Sequence, residues 1–322
     1  MNEFTSIIMG NNEPLERKGK LFIYGIEERF KESLAFIKNE YERYENFQKT
    51  IDYVEYLHSD TVKADFHTLQ RVGYYPSTEI EMELDHSIKH ALIGSYKAAF
   101  SDLRRALELS IIFIYLVLEE TDEKKAVNWI KSNYNTVAFS KALKILIKHG
   151  RYQEINSSCH WMKRLQELYI ELSGISHNKG ILKGYRELNN VNFFTAGTSA
   201  PSIKTETLKS FCDFYIQTVQ EIIAIQVLYN PIIIVGVPFD EKFGLDGPMS
   251  GFMNDIQSEK IKELIPEKYQ DFFNHLIEND TEIKGTIEYF ESLPDLTEED
   301  IKDQVKRHEE FLGQSEKNNP SP

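Results

Sequence analysis

The stretch HALIGSYKAAFSDLRRALELSIIFIYLVLEE, His90 to Glu120, decides the fold class. It belongs to a helical block that starts near Glu81, and its last part, Leu109 to Leu118, is apolar except for Ser110. That part spans 10 residues, whereas a bilayer crossing needs about 20. It reads as a buried core helix, and no membrane association is expected.

The helical rhythm continues on both sides. From Leu21 to about Ser59 there is no Pro and the only Gly is Gly25, while Phe30, Leu34, Ile37, Tyr41, Tyr44, Ile51, Val54 and Leu57 recur at three- and four-residue steps or their sum. This predicts one amphipathic helix of unusual length, whose near-heptad stripe can pack inside the protein or form a seam with a partner helix. A break follows at Gly73 to Ser77. Downstream, residues 123–132 and 136–149 read as two shorter helices, with Gly150 as a stop. A further helix is expected over Ser158 to Asn178, capped at Gly180, and a long one from about Lys204 to Tyr229, stopped by Pro231. Between these two lies a loop at Thr195 to Ser202.

The run IIIVGVPF, Ile232 to Phe239, is the one candidate for an extended β segment. Gly236, Pro238, Gly244, Gly247, Pro248 and Gly251 then mark a linker. Residues 255–312 read as short acidic helices, and the tail GQSEKNNPSP is expected to be disordered. The expected fold class is all-α, with at most a minor β element near 232–239.

Composition supports a globular chain. Of 322 residues, 41% are hydrophobic and 27% charged, with 16 Gly and 10 Pro, which excludes collagenous and low-complexity classes. Cys159 and Cys212 lack any CxxC or Cys/His ligand spacing, so neither a disulfide framework nor a zinc site of that kind is expected. The amino terminus has no basic segment leading into an apolar stretch of signal-peptide length, which reads as cytoplasmic. The net charge of -14 is uneven: residues 1–86 carry -7, residues 87–190 carry +6, and residues 251–322 carry -10. A basic middle between acidic flanks can attract a polyanion locally, and it equally describes solvated helix faces.

Several chemistries are absent from the sequence. There is no GxxxxGK[ST] phosphate loop and no GxSxG elbow. His86 and His90 share a helix face at i, i+4, but Ser87 stands where a HExxH zinc motif needs Glu and no third ligand is evident, so no metal or cofactor is expected. The more informative residues lie in two central helices: Leu-Arg-Arg-Ala-Leu-Glu at 103–108 and Leu-Ser-Gly-Ile-Ser-His-Asn at 172–178. Arg104 and Glu108 are one turn apart on a strongly apolar helix, so burial would oblige them to find partners. His177, in a last helical turn, is the expected third member, and the carbonyl ends there favour its protonated form. Two readings stay open, a charge network locking two core helices and an acid–base site.

The order of a long helix bearing LRxxLE, intervening helices and a helix ending LSxxSHxxG resembles the HEPN (higher eukaryotes and prokaryotes nucleotide-binding) superfamily, particularly divergent bacterial members of phage-defence and toxin systems. The resemblance covers about residues 87–230. It implies a helical bundle that commonly dimerises around a shared site, and often a metal-independent ribonuclease. His177 would be the acid/base group by similarity. The family's Arg, four to six residues before that His, is replaced here by Glu171, Leu172 and Ser173, and the nearest upstream Arg is Arg164. Arg104 is then the substitute, oriented by Glu108, with Ser173, Asn178, Arg105 and Lys179 as RNA- or phosphate-binding groups.

The expected organisation is an N-terminal long-helix segment (1–86), a HEPN-like bundle (87–235), a linker (236–254) and an acidic helical region with its tail (255–322). Two functions follow: a HEPN-like defence or toxin component acting on RNA, as a homodimer or with a partner protein of the same operon, and a non-catalytic helical adaptor binding proteins through the terminal segments.

Overall fold

The structure is a computed structural model that describes residues 12–57, 74–118, 123–133, 135–176, 205–244, 252–303 and 305–307. His177, Asn178, Lys179, the Gly180 cap, the 195–202 loop and the final tail lie outside the described residues. The described chain is all-α, with no strand among the described residues.

The long N-terminal helix is two helices, α1 (Asn12–Asn39) and α2 (Tyr41–Leu57). At Glu40 the backbone N–H reaches both Phe36 O at 3.3 Å and Ile37 O at 3.1 Å, a tightened turn after which the helix restarts. Of the expected apolar stripe, Ile37 and Val54 are buried, Leu34, Tyr44 and Ile51 half-buried and Phe30 exposed; Phe47 and Tyr53, which the stripe did not include, are buried as well. The Phe47 ring meets Phe211 and Tyr215 edge-on, with centroids 6.4 and 5.0 Å apart.

The block around His90 is likewise two helices, α3 (Tyr74–Leu92) and α4 (Tyr96–Val117). They form an antiparallel hairpin, in which Glu83 meets Arg105 and His90 meets Asp102. Gly94 makes the turn with φ +79, a left-handed conformation that costs other residues about 1–2 kcal/mol. Its neighbour Ser95 closes the helix end by donating its N–H to His90 O at 2.7 Å. Arg29 of α1 pins the turn from outside, Nε donating to Ile93 O at 3.0 Å. Tyr75 and Pro76, expected in a break, belong to the first turn of α3, where a missing proline N–H costs nothing.

Next come α5 (Glu123–Ile130), α6 (Phe139–Leu146), α7 (Gly150–Cys159), α8 (Trp161–Ser176) and α9 (Thr205–Tyr229). Gly150, expected as a stop, opens α7, and the true division before α8 is His160, left-handed at φ 53. Helix α4 is the hub: α3, α6, α8 and α9 all pack on it. Its side chains Ala99, Phe100, Leu103, Leu107, Ile111 and Ile114 are fully buried. A helix apolar on so many sides is stable only when surrounded, and each large side chain so buried contributes about 1.5–3 kcal/mol.

Apolar IIIVGVPF makes no strand. Pro231–Ile234 is a buried 3₁₀ turn, followed by a single parallel bridge between Gly236 and Met253, in which Val237 N–H donates to Met253 O at 2.9 Å. The short α10 (Phe239–Phe243) follows, then α11 (Asp255–Leu264), α12 (Gln270–Asn279) and α13 (Thr281–Ser292). Ile261, Tyr269, Phe273 and Ile283 belong to the same contiguous core as α4 and α9. No described helix is long and apolar enough to cross a membrane.

Candidate functional site

Helix α4 carries polar residues on two opposite edges. Asp102 and Arg104 are two positions apart, which at about 3.6 residues per turn points them roughly 200° apart around the axis. Asp102 turns toward α3 and Arg104 toward α8.

On the α8 side, Arg104 and Glu108 are half-buried at 19% and 24% side-chain exposure, and their closest approach, Nη1 to Oε2, is 3.9 Å. Arg104 Nη1 also donates a long hydrogen bond, 3.4 Å, to the Tyr169 hydroxyl, with the guanidinium carbon 5.9 Å from that ring's centroid. Tyr169 is itself fixed by stacking on Phe139 of α6, with centroids 4.1 Å apart and planes 7° from parallel. Ser173 follows one turn along α8. Arg104 Nε and Ser173 Oγ are both buried with no hydrogen-bond partner among the described residues, an arrangement that costs about 1–3 kcal/mol per group unless something satisfies them. The helices bearing LRxxLE and LSxxS therefore lie side by side, with Arg104 and Tyr169 meeting across their contact, Glu108 beside Arg104 on α4 and Ser173 one turn beyond Tyr169 on α8. His177, the next residue after α8, Asn178 and Lys179 lie outside the described residues.

Arg105 is placed elsewhere. It faces α3, where Nε and Nη2 hold both oxygens of Glu83 at 2.6 and 2.7 Å and Nη2 also reaches Asp102. The hydrogen bonds to Glu83 raise its pKa further despite partial burial. Asp102, 2% exposed, accepts in addition from the imidazole of His90, Nδ1 to Oδ2 being 2.6 Å. Burial raises the Asp102 pKa, against the opposing pull of His90 and Arg105. Glu83, Arg105, Asp102 and His90 thus form one chain of charge across the hairpin, spatially distinct from Arg104.

Arg164 also takes a separate position, over the Tyr269 ring at 6.0 Å, where it lines a cleft of about 480 Å³ with His160, Gln217, Gln220 and Lys268. The floor of that cleft is Glu221 of α9, which accepts from Lys268 Nζ at 2.7 Å, Tyr269 OH at 3.0 Å and Trp161 Nε1 at 3.3 Å. Burial, with the charge of Asp213 adding to it and Arg43 only partly opposing it, pushes the Cys212 thiol up to about 12.

Reading along the chain missed Tyr169 as the partner of Arg104 and Asp102 as the partner of His90. Asp102 had a legible signal, because it shares the buried stripe of Ala99, Leu103 and Ala106. Tyr169 had none, since its role depends on Phe139 and Arg104 arriving from other helices. No family model, no curated protein and no solved structure matches this chain.

Proposed function

We propose that the chain is a cytoplasmic HEPN-like component of a bacterial defence or toxin system that cleaves RNA without a metal ion. The observation supporting this reading is the α4–α8 contact, with Arg104 Nε and Ser173 Oγ buried without partners among the described residues and Ser173 in the last turn of the helix that precedes His177. A phosphate oxygen is the acceptor such donors lack, and a guanidinium suits the charge developing on a phosphorane. In this reading the ribose 2′-oxygen bonds to phosphorus as the bond to the 5′-oxygen breaks. His177 takes the 2′ proton, and the leaving oxygen gains one, giving a 2′,3′-cyclic phosphate end. Glu108 and Tyr169 orient Arg104, and Asn178 and Lys179 extend the phosphate contacts. A homodimer, or a complex with a protein of the same operon, would complete the site.

A second reading, a non-catalytic adaptor, is favoured by the Arg104 contacts themselves, because Tyr169 and Glu108 already engage the guanidinium as a packing network would. One experiment separates the two. Purified protein is incubated with mixed-sequence RNA in chelator, beside His177→Ala and Arg104→Ala. The nuclease reading expects cyclic-phosphate ends with the wild type, and losses of about 100-fold or more in the variants. Intact RNA with the wild type, or equal cleavage by His177→Ala, leaves the adaptor.

A further inference from the structure

The α3–α4 hairpin holds a second constellation that the RNA reading does not use. His86 and His90 lie at i, i+4 on α3, with ring centroids 6.4 Å apart and planes at 44°. Spacing of this kind puts two imidazoles on one helix face, within reach of a single ion. The spacing by itself is weak. The structure adds a carboxylate behind it.

Asp102 engages His90 through Nδ1 at 2.6 Å, while being almost wholly buried on α4. Arg105 in turn grips Asp102 and chelates Glu83, so the carboxylate cannot swing away. A neutral imidazole whose Nδ1–H donates to a fixed carboxylate presents Nε2 as its free lone pair. This is the outer-shell arrangement that orients histidine ligands on a metal. His86 is exposed and makes only the ring contact with His90 among the described residues. It can turn about its own side-chain bonds to bring a second nitrogen onto an ion about 2.0–2.1 Å from each ligand.

We propose that His86 and His90, backed by Asp102, form a surface site for one divalent transition-metal ion of the zinc class per chain. Imidazole nitrogen suits this class, whereas calcium and magnesium call for oxygen ligands. No group of three or more His, Cys, Asp or Glu side chains among the described residues could hold a metal. The site therefore has two protein ligands and leaves the remaining coordination positions to water. It lies on the α3 side of α4, away from Arg104, and stands whether or not the chain cleaves RNA.

The test is calorimetric titration of the chelator-stripped full chain with Zn²⁺ alone at pH 7.5, with His86→Ala, His90→Ala and Asp102→Asn alongside. The expected wild-type result is one ion per chain with micromolar dissociation. Either histidine variant should weaken this at least tenfold. Asp102→Asn should weaken it by about 10–100-fold, the usual effect of removing an outer-shell carboxylate. Circular dichroism of each variant guards against unfolding. If Asp102→Asn fails to fold, Glu83→Gln, which loosens the Arg105 grip on Asp102, replaces it and should weaken binding at least threefold. No heat of binding with 100 µM Zn²⁺ overturns the proposal. So does affinity unchanged in either histidine variant, or in the folded carboxylate variant.

Discussion

Arg151 of α7 and Asp280, the residue before α13, are joined by two parallel hydrogen bonds, Nε to Oδ2 at 2.7 Å and Nη2 to Oδ1 at 3.0 Å. The same carboxylate caps α13 by accepting from the backbone N–H groups of Glu282 and Ile283. One side chain thus ties the acidic C-terminal helices to the basic middle of the chain and starts a helix.

That double role gives a pH-dependent prediction. Burial raises the Asp280 pKa, but the Arg151 hydrogen bonds and charge, with the two backbone donors, outweigh it and hold the carboxyl below the ordinary aspartate range. A carboxylate depressed in the folded state stabilises at pH above its unfolded value of about 3.9, and that contribution disappears as pH falls through the folded value. Asp280→Asn keeps the cap but not the charge. It should cost about 1–2 kcal/mol at pH 7 in urea unfolding, with the gap to wild type closing as pH falls below the ordinary aspartate range and through the depressed folded value. A gap that persists unchanged in acid would show that the ion pair is not its source.

Gly236 should tolerate no side chain. A Cβ there would lie 2.6 Å from the Asp255 Cα, a backbone clash that the Gly236–Met253 bridge cannot relieve by moving a flexible tip. Gly236→Ala is expected to lower the thermal midpoint by several degrees, on the order of 1–3 kcal/mol of strain. An unchanged midpoint would mean that the close approach is not present in solution.

Glu221 is the acceptor for Lys268, Tyr269 and Trp161 and is 5% exposed. Glu221→Ala leaves those donors facing one another, so a loss of about 3 kcal/mol is expected from chemical denaturation. Lys268→Met, which removes the ammonium and leaves the carboxylate its Tyr269 and Trp161 donors, should cost less. Equal losses would contradict the assignment of Glu221 as the centre of the cluster.

Truncation after Pro248 should abolish cooperative unfolding rather than release an independent bundle. The missing part includes Ile261, Tyr269, Phe273 and Ile283, all buried in the core that α4 and α9 share. Removing these four core side chains at once, each worth about 1.5–3 kcal/mol, takes away about 6–12 kcal/mol, comparable to the whole ~5–15 kcal/mol stability of an ordinary domain. A truncated chain that melts in one sharp transition near the wild-type temperature would sink this view.

What the amino-acid sequence determined alone was the helical character, because helix hydrogen bonds are local and apolar spacing along one segment shows which face will be covered. The apolar run ending α4 and the Pro231 stop were readable in this way, as was the all-α class, and the stripe from Ile37 to Val54 in part, since it left out the buried Phe47 and Tyr53. Tertiary structure decided where the rods divide, at Glu40, Gly94 and His160, and that Ile232–Ile234 turns instead of extending. It also decided which charges meet. Arg105 leaves its neighbour Arg104 for Glu83, and His90 finds Asp102, because contacts between helices depend on rotation about each axis and on packing against third partners, quantities that no local spacing contains.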